Sequence, residues 1–156
     1  MRIAILAVSR RRPGWLGDAL DEYLRRFPPD QRPAIIDVAP AKKRDAGREI
    51  VLADEARRIR AALPGNARCI VLDETGRPQD TRAIARHLGE WRQDGRDVAF
   101  VVGGSEGTDP ALRREAEAVW SLSPLTLPHG LALLVLVEQL YRAWTLLGGH
   151  PYHRGE

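Results

Sequence analysis

Val98-Ala99-Phe100-Val101-Val102-Gly103-Gly104-Ser105-Glu106-Gly107 is the stretch on which the fold turns. Five apolar residues in a row, rich in valine, predict a strand buried on both faces of a parallel sheet. Two glycines follow at once, where a backbone can turn sharply and come close to another group. In open α/β sheets ligands bind just beyond the carboxyl ends of the strands. Gly103–Gly107 is therefore a candidate ligand turn. A tight strand-to-helix turn with no ligand accounts for the same glycines.

Working outward, the segments on either side repeat the same unit. Ile3–Val8 predicts a first buried strand, and Trp15–Phe27 has apolar residues at helical spacing before Pro28-Pro29. Ala34–Val38 is a second strand. Residues 39–48, with Lys42, Lys43, Arg44 and Arg48, form a basic loop for which solvation and RNA contact are equal readings. Glu49–Leu63 is a helix stopped by Pro64-Gly65-Asn66. Arg68–Leu72 is a third strand ending in the acidic turn Asp73–Arg77, suited to holding ribose hydroxyls or to capping the next helix. Asp80–Trp91 is helical, with His87 read as a surface residue. After the Val98–Val102 strand, Asp109 and Pro110 open a helix to Ala118. This alternation predicts an α/β fold, a parallel sheet with helices on both faces. Length, with no linker or repeat, predicts a single domain over residues 1–156.

Composition narrows the class. The 156 residues are 44% hydrophobic and 29% charged, with net charge +3, as in an ordinary globular protein. Residues 1–60 hold 14 Lys and Arg against 9 Asp and Glu; the remainder hold 10 against 12. The basic first part suits a polyanion partner or a merely solvated surface. The lone Cys69 lies in an apolar run and reads as a core residue, so no disulfide and no metal spacing is expected. The amino end lacks the pattern of a signal peptide, which predicts a cytoplasmic protein.

Several nucleotide chemistries are disfavoured. Val8-Ser9-Arg10-Arg11-Arg12 stands where a dinucleotide fingerprint places Gly-x-Gly-x-x-Gly, and no phosphate-loop lysine motif or nucleophile elbow occurs. Those three arginines, in a Gly/Pro loop at the end of the first strand, fit phosphate contacts.

The carboxyl-terminal third is unlike an ordinary Rossmann chain. Val119–Gly130 alternates leucine with small hydroxyl residues and prolines, and predicts irregular backbone. Buried backbone groups need partners, which the edge of a flat ligand such as adenine supplies. Leu131–Leu147 is apolar nearly all round, so it belongs inside the fold or against another subunit, and Glu138, Gln139 and Arg142 argue against a membrane span. Glu138 and Arg142 stand at the spacing of an intrahelical ion pair. His150-Pro151-Tyr152-His153-Arg154 follows a Gly-Gly step and predicts a tail folded over something.

Val101–Gly107, Ser121–His129, Glu138–Trp144 and His150–Arg154, taken together and in this order, resemble the ribosomal RNA large subunit methyltransferase H family. Glu22-Tyr23-Leu24-Arg25-Arg26-Phe27 resembles it as well, and the likeness covers the whole chain. The resemblance implies a SPOUT-type fold whose carboxyl-terminal part is a trefoil knot. It implies a homodimer using S-adenosylmethionine, with no metal, to methylate N3 of a pseudouridine in a 23S ribosomal RNA stem-loop of the assembled ribosome. On that resemblance Leu72, Gly103, Gly104, Leu122, Ser123, Pro124, Leu125, Thr126 and Leu127 form the cofactor pocket. The tail reaches the partner's cofactor: His153 is a candidate base, Arg154 an electrostatic stabiliser, and Tyr152 stacks on or orients the target base. His129 is read as a structural hydrogen-bonding residue of the threaded loop. Leu133 stands where the family commonly has an arginine. The rival readings are a non-catalytic ribosome- or RNA-binding module and a nucleotide-cofactor oxidoreductase.

Overall fold

The computed structural model describes residues 1–42 and 44–154, the side chains of Arg44 and His153 excepted. Five strands, β1 (Ile3–Val8), β2 (Ala34–Val38), β3 (Arg68–Pro78), β4 (Val98–Val102) and β5 (Ala118–Ser121), form one sheet in the order β2-β1-β4-β3-β5. Every pairing is parallel. The helices are α1 (Gly14–Arg26), α2 (Arg48–Ala62), α3 (Thr81–Asp94), α4 (Pro110–Glu115) and α5 (His129–Gly148).

Side chains alternate across the sheet with period two, and each set finds its own core. Ile5, Ala7, Ile70, Phe100 and Val102 point to the face covered by α1, α3 and α5. Ala4, Leu6, Val8, Val71, Ala99 and Val101 point to the face covered by α2 and α4. All five residues of β4, the central strand, are buried, as its unbroken apolar run requires. Asp80 caps α3 by accepting from the Ala83 N–H at 2.8 Å, and Asp109 caps α4 from Ala111 at 2.7 Å with Pro110 at the first turn.

The expected elements are present, with corrections at the third strand and near the carboxyl end. β3 does not stop at Leu72. It loops out over Asp73–Gly76 and rejoins, so that both Leu72 and Arg77 pair with Trp120 of β5. Gly76 permits that return, since a Cβ there would lie 2.7 Å from the Trp120 backbone. α4 ends at Glu115, and Ala118–Ser121, placed by sequence partly in a helix and partly in irregular chain, forms the edge strand β5. Irregular backbone begins only at Leu122. Trp15 sits on the outer side of α1 at 60% exposure, while Leu16 and Leu20 are buried. His87 is half-buried, stacked on Trp91 and tilted against Trp120, because β5 brings Trp120 beneath α3. Cys69 is partly buried in β3, and burial pushes its thiol pKa up.

α5 is the one helix among the described residues long and apolar enough to cross a membrane. Its Leu133, Leu136, Val137, Leu140, Tyr141 and Ala143 are instead buried against the sheet and against α1 and α3.

Candidate functional site

The carboxyl ends of β4 and β3 open into a crevice of about 870 Å³, within the range usual for small-molecule sites. Its floor is the glycine turn. Gly107 donates to the Gly104 carbonyl at 3.0 Å and holds φ +87°, a conformation that favours glycine. A Cβ on Gly103 would lie 2.6 Å from both the Gly107 carbonyl oxygen and Thr108 Oγ1. Gly104 rests over Val8 and the carboxylate of Glu55, 4% exposed, which accepts from the Ala41 N–H at 2.9 Å. The turn and the ligand-site readings of these glycines are thus compatible: the tight turn is itself part of the crevice wall.

The second wall is the excursion of β3. Asp73 accepts from the backbone and hydroxyl of Thr75 and faces the Arg113 guanidinium at 3.0 Å. Burial alone would raise its pKa; the Thr75 hydrogen bonds and Arg113 outweigh that and hold it below the ordinary carboxylate value. Arg113 also donates to the Thr108 carbonyl, so one cation ties both walls together. Across the mouth, Thr126 donates to Glu74 at 2.9 Å, and Arg48 reaches the Glu106 carbonyl at 3.0 Å.

The third wall is Leu122–Leu127. Ser121 Oγ donates to the Ser123 carbonyl at 3.0 Å, and Leu125 N–H to Ser123 Oγ at 2.9 Å. Among the described residues, no backbone group from Leu122 to Leu127 has a backbone partner. Apart from the two groups that the serine hydroxyls meet, this is a lining of backbone donors and acceptors outside any ladder, beside apolar leucines and open to the edge of a flat polar ring. Of the sequence-predicted pocket residues, Leu72, Gly103, Gly104, Leu122, Ser123, Leu125, Thr126 and Leu127 line this one crevice; Pro124 is exposed outside it. Asp73 belongs to the acidic turn that the sequence marks for ribose hydroxyls or a helix cap; Glu55, Arg113 and Thr108 were not singled out as site residues. Glu55 carried a signal, an acid on the inward stripe of α2 beside Leu52, Ala56 and Ile59. Arg113 carried none, because only tertiary contact brings α4 to the β3 excursion.

His129 departs from expectation. It opens α5, is exposed, and its side chain makes no hydrogen bond among the described residues; it lines both the crevice and a second cleft of about 400 Å³. Leu133, 2% exposed, forms part of that cleft's wall and of the core.

The tail lies away from its own chain's crevice. Gly149, in the left-handed region at φ +71°, caps α5, so the Gly-Gly step ends the helix. The turn Pro151–Arg154 then doubles back along α5. Tyr152 is 8% exposed, packed on Tyr141 at 4.7 Å between the guanidiniums of Arg26 and Arg142. Its hydroxyl donates to Glu138 at 3.1 Å, and Glu138 pairs with Arg142 at 2.6 Å as the helical spacing predicts. Burial first, then the Tyr23 and Glu138 contacts, pushes the Tyr152 pKa far up, so the phenol stays neutral. A ring expected to stack on a substrate is already buried within its own chain. Arg154 is exposed without an ion pair among the described residues. The His153 side chain lies outside the described residues.

The family model described as "Predicted SPOUT methyltransferase" matches residues 1–153. The ribosomal RNA large subunit methyltransferase H of Burkholderia ambifaria is 47% identical over 156 residues, covering 99% of each chain. The protein of the same name from Burkholderia thailandensis is 49% identical over the same span. A match of that length on a five-stranded parallel sheet, with its crevice at the expected strand ends, places this chain in the SPOUT methyltransferase family, whose members draw their methyl group from S-adenosylmethionine.

Proposed function

We propose that this chain is an S-adenosylmethionine-dependent methyltransferase acting on N3 of a pseudouridine in a 23S ribosomal RNA stem-loop. In this reading it works on the assembled ribosome, in the cytoplasm, as a homodimer whose carboxyl-terminal part is knotted. The observation that carries the reading is the backbone of Leu122–Leu127, without backbone partners among the described residues, facing Gly103 and Gly104 across one crevice. The near full-length likeness to ribosomal RNA methyltransferases supports the substrate.

The bound donor supplies a methyl carbon made electrophilic by its sulfonium. The protein's task is alignment of that carbon with the acceptor nitrogen for in-line displacement. The crevice backbone holds the adenosyl part, and Glu74 or Asp73 receives ribose hydroxyls. The pseudouridine N3 loses its proton as the bond forms, so a base and a cation near the developing anion lower the barrier. His153 is assigned as the base and Arg154 as the stabilising cation, both acting on the partner's crevice. The tail's position away from its own crevice favours this arrangement between protomers. Tyr152 becomes the anchor that fixes the tail to α5.

Calorimetry with S-adenosylhomocysteine tests the cofactor, and mass spectrometry of the ribosomal RNA loop from cells with and without the protein tests the reaction. An RNA-binding module predicts salt-dependent ribosome binding with no heat on adding the cofactor product. An oxidoreductase predicts dinucleotide binding instead.

A further inference from the structure

The 400 Å³ cleft beside the donor crevice has no role so far. It lies at the carboxyl end of β1, the neighbour of β4 in the sheet, and shares Val102, Pro128 and His129 with the crevice. Two large apolar side chains face solvent at it, Trp15 at 60% exposure and Leu131 at 37%. A tryptophan left that far in water at a cavity's edge is available for stacking. Its basic rim is uneven. Arg11 and Arg12 line it; Arg12 is held by Asp37, whereas Arg11, and Arg10 just before it in the chain, are exposed and make no ion pair among the described residues.

We propose that this cleft receives the target nucleobase, unstacked from its loop. Trp15 is the stacking platform, and Arg10 and Arg11 grip the flanking phosphates. The inference rests on the reading of the chain as an RNA methyltransferase and names where that substrate sits. The chemistry is that of loop-nucleotide recognition: an aromatic face for the base, cations for the backbone. Free cations on an apolar cleft complement an anionic strand with a planar, partly apolar base better than an apolar protein surface. The shared wall places the base next to the donor, which methyl transfer requires. Trp15 is therefore a substrate-binding residue, and the exposed Trp15 at the start of α1 is explained by what it stacks on.

The test uses the full-length protein with assembled ribosomes lacking the modification and a radiolabelled methyl donor. Trp15→Ala should lower kcat/KM about 10- to 100-fold, the range expected for losing one base-aromatic stack. Trp15→Phe should recover most of that loss. Arg10→Ala/Arg11→Ala should raise KM and reduce the log-log salt slope by about one per arginine. In all three variants S-adenosylhomocysteine affinity should stay within about twofold and the mass by light scattering should not change. Normal transfer by Trp15→Ala, with the wild type binding S-adenosylhomocysteine, overturns the inference and leaves the methyltransferase reading intact. A halved mass in Trp15→Ala also overturns it, and assigns the cleft to the contact between protein copies. A wild type that binds no S-adenosylhomocysteine overturns both.

Discussion

The two ends of α5 are built on opposite plans. At its carboxyl end the buried polar side chains among the described residues partner one another or the backbone. Gly149 closes the helix, Thr145 is fully buried and donates to the Arg142 carbonyl, and Tyr152, Glu138 and Arg142 satisfy one another. At its amino end Pro128 provides no side-chain cap, the His129 side chain makes no hydrogen bond among the described residues, and Leu125 is 71% exposed. Among the described residues, Leu122–Leu127 before it has no backbone partner. One end satisfies its buried polar groups within the chain; the other leaves backbone outside any ladder and side chains exposed. On the proposed function, self-sufficient structure and ligand-binding structure lie at opposite ends of a single helix.

The comparison breaks first at the tail. If the closed end exists to present Arg154 to a partner's crevice, Arg154→Ala should reduce methyl transfer about 100-fold or more, the scale of removing one stabiliser of developing charge. Cofactor affinity measured by calorimetry should change less than about twofold. Retained activity would detach the tail from the chemistry.

The open end is tested at its floor. Gly103→Val forces side-chain atoms into the Gly107 carbonyl and Thr108, 2.6 Å from where the Cβ must sit. S-adenosylhomocysteine affinity should fall by about 30-fold or more, the scale of a typical core overpacking cost. Unchanged affinity would move the donor away from this turn.

The closed end is then sharpened by Glu138→Gln. The carboxylate that serves both Arg142 and Tyr152 becomes a neutral amide, and a partly buried guanidinium loses its counter-charge. Stability in denaturant titration should drop by about 1–3 kcal/mol, with transfer falling because the tail loosens. A drop in stability with full activity would show the anchor is only structural.

The smallest effect concerns pH. Burial lowers the His87 pKa below 6.5, outweighing the Glu90 charge that raises it. The unfolded chain therefore binds this proton more readily than the folded one. Stability due to His87 is retained above about pH 6.5 and declines as pH falls below it, until the folded pKa is reached. His87→Phe should make the thermal midpoint less dependent on pH in that window, while neither end of α5 changes.

Much of the site was legible because local rules govern it. An unbroken apolar run ending in two glycines has few alternatives to a buried strand and a close turn, and Gly103 and Gly104 are where they were expected. Proline and hydroxyl residues at 121–128 gave the ladder-free wall, though not its start, because Val119 and Trp120 pair with β3 rather than joining the loop. Tyr152 was legible as important but not as buried. An aromatic residue in a polar tail looks alike in sequence whether it faces a substrate or its own helix.

The sequence by itself determined the first four strands with the helices that follow them, the two-sided core and the glycine turn, since each depends on the period of apolar residues and the freedom of particular backbones. Only the tertiary structure decided that β3 loops out and returns to pair with a fifth strand, that Arg113 joins two walls, that Trp15 faces outward beside the glycine crevice, and that the tail closes on α5. Those outcomes depend on contacts between residues distant in the chain. Such contacts are chosen by which arrangement buries apolar surface and partners the buried polar groups at once.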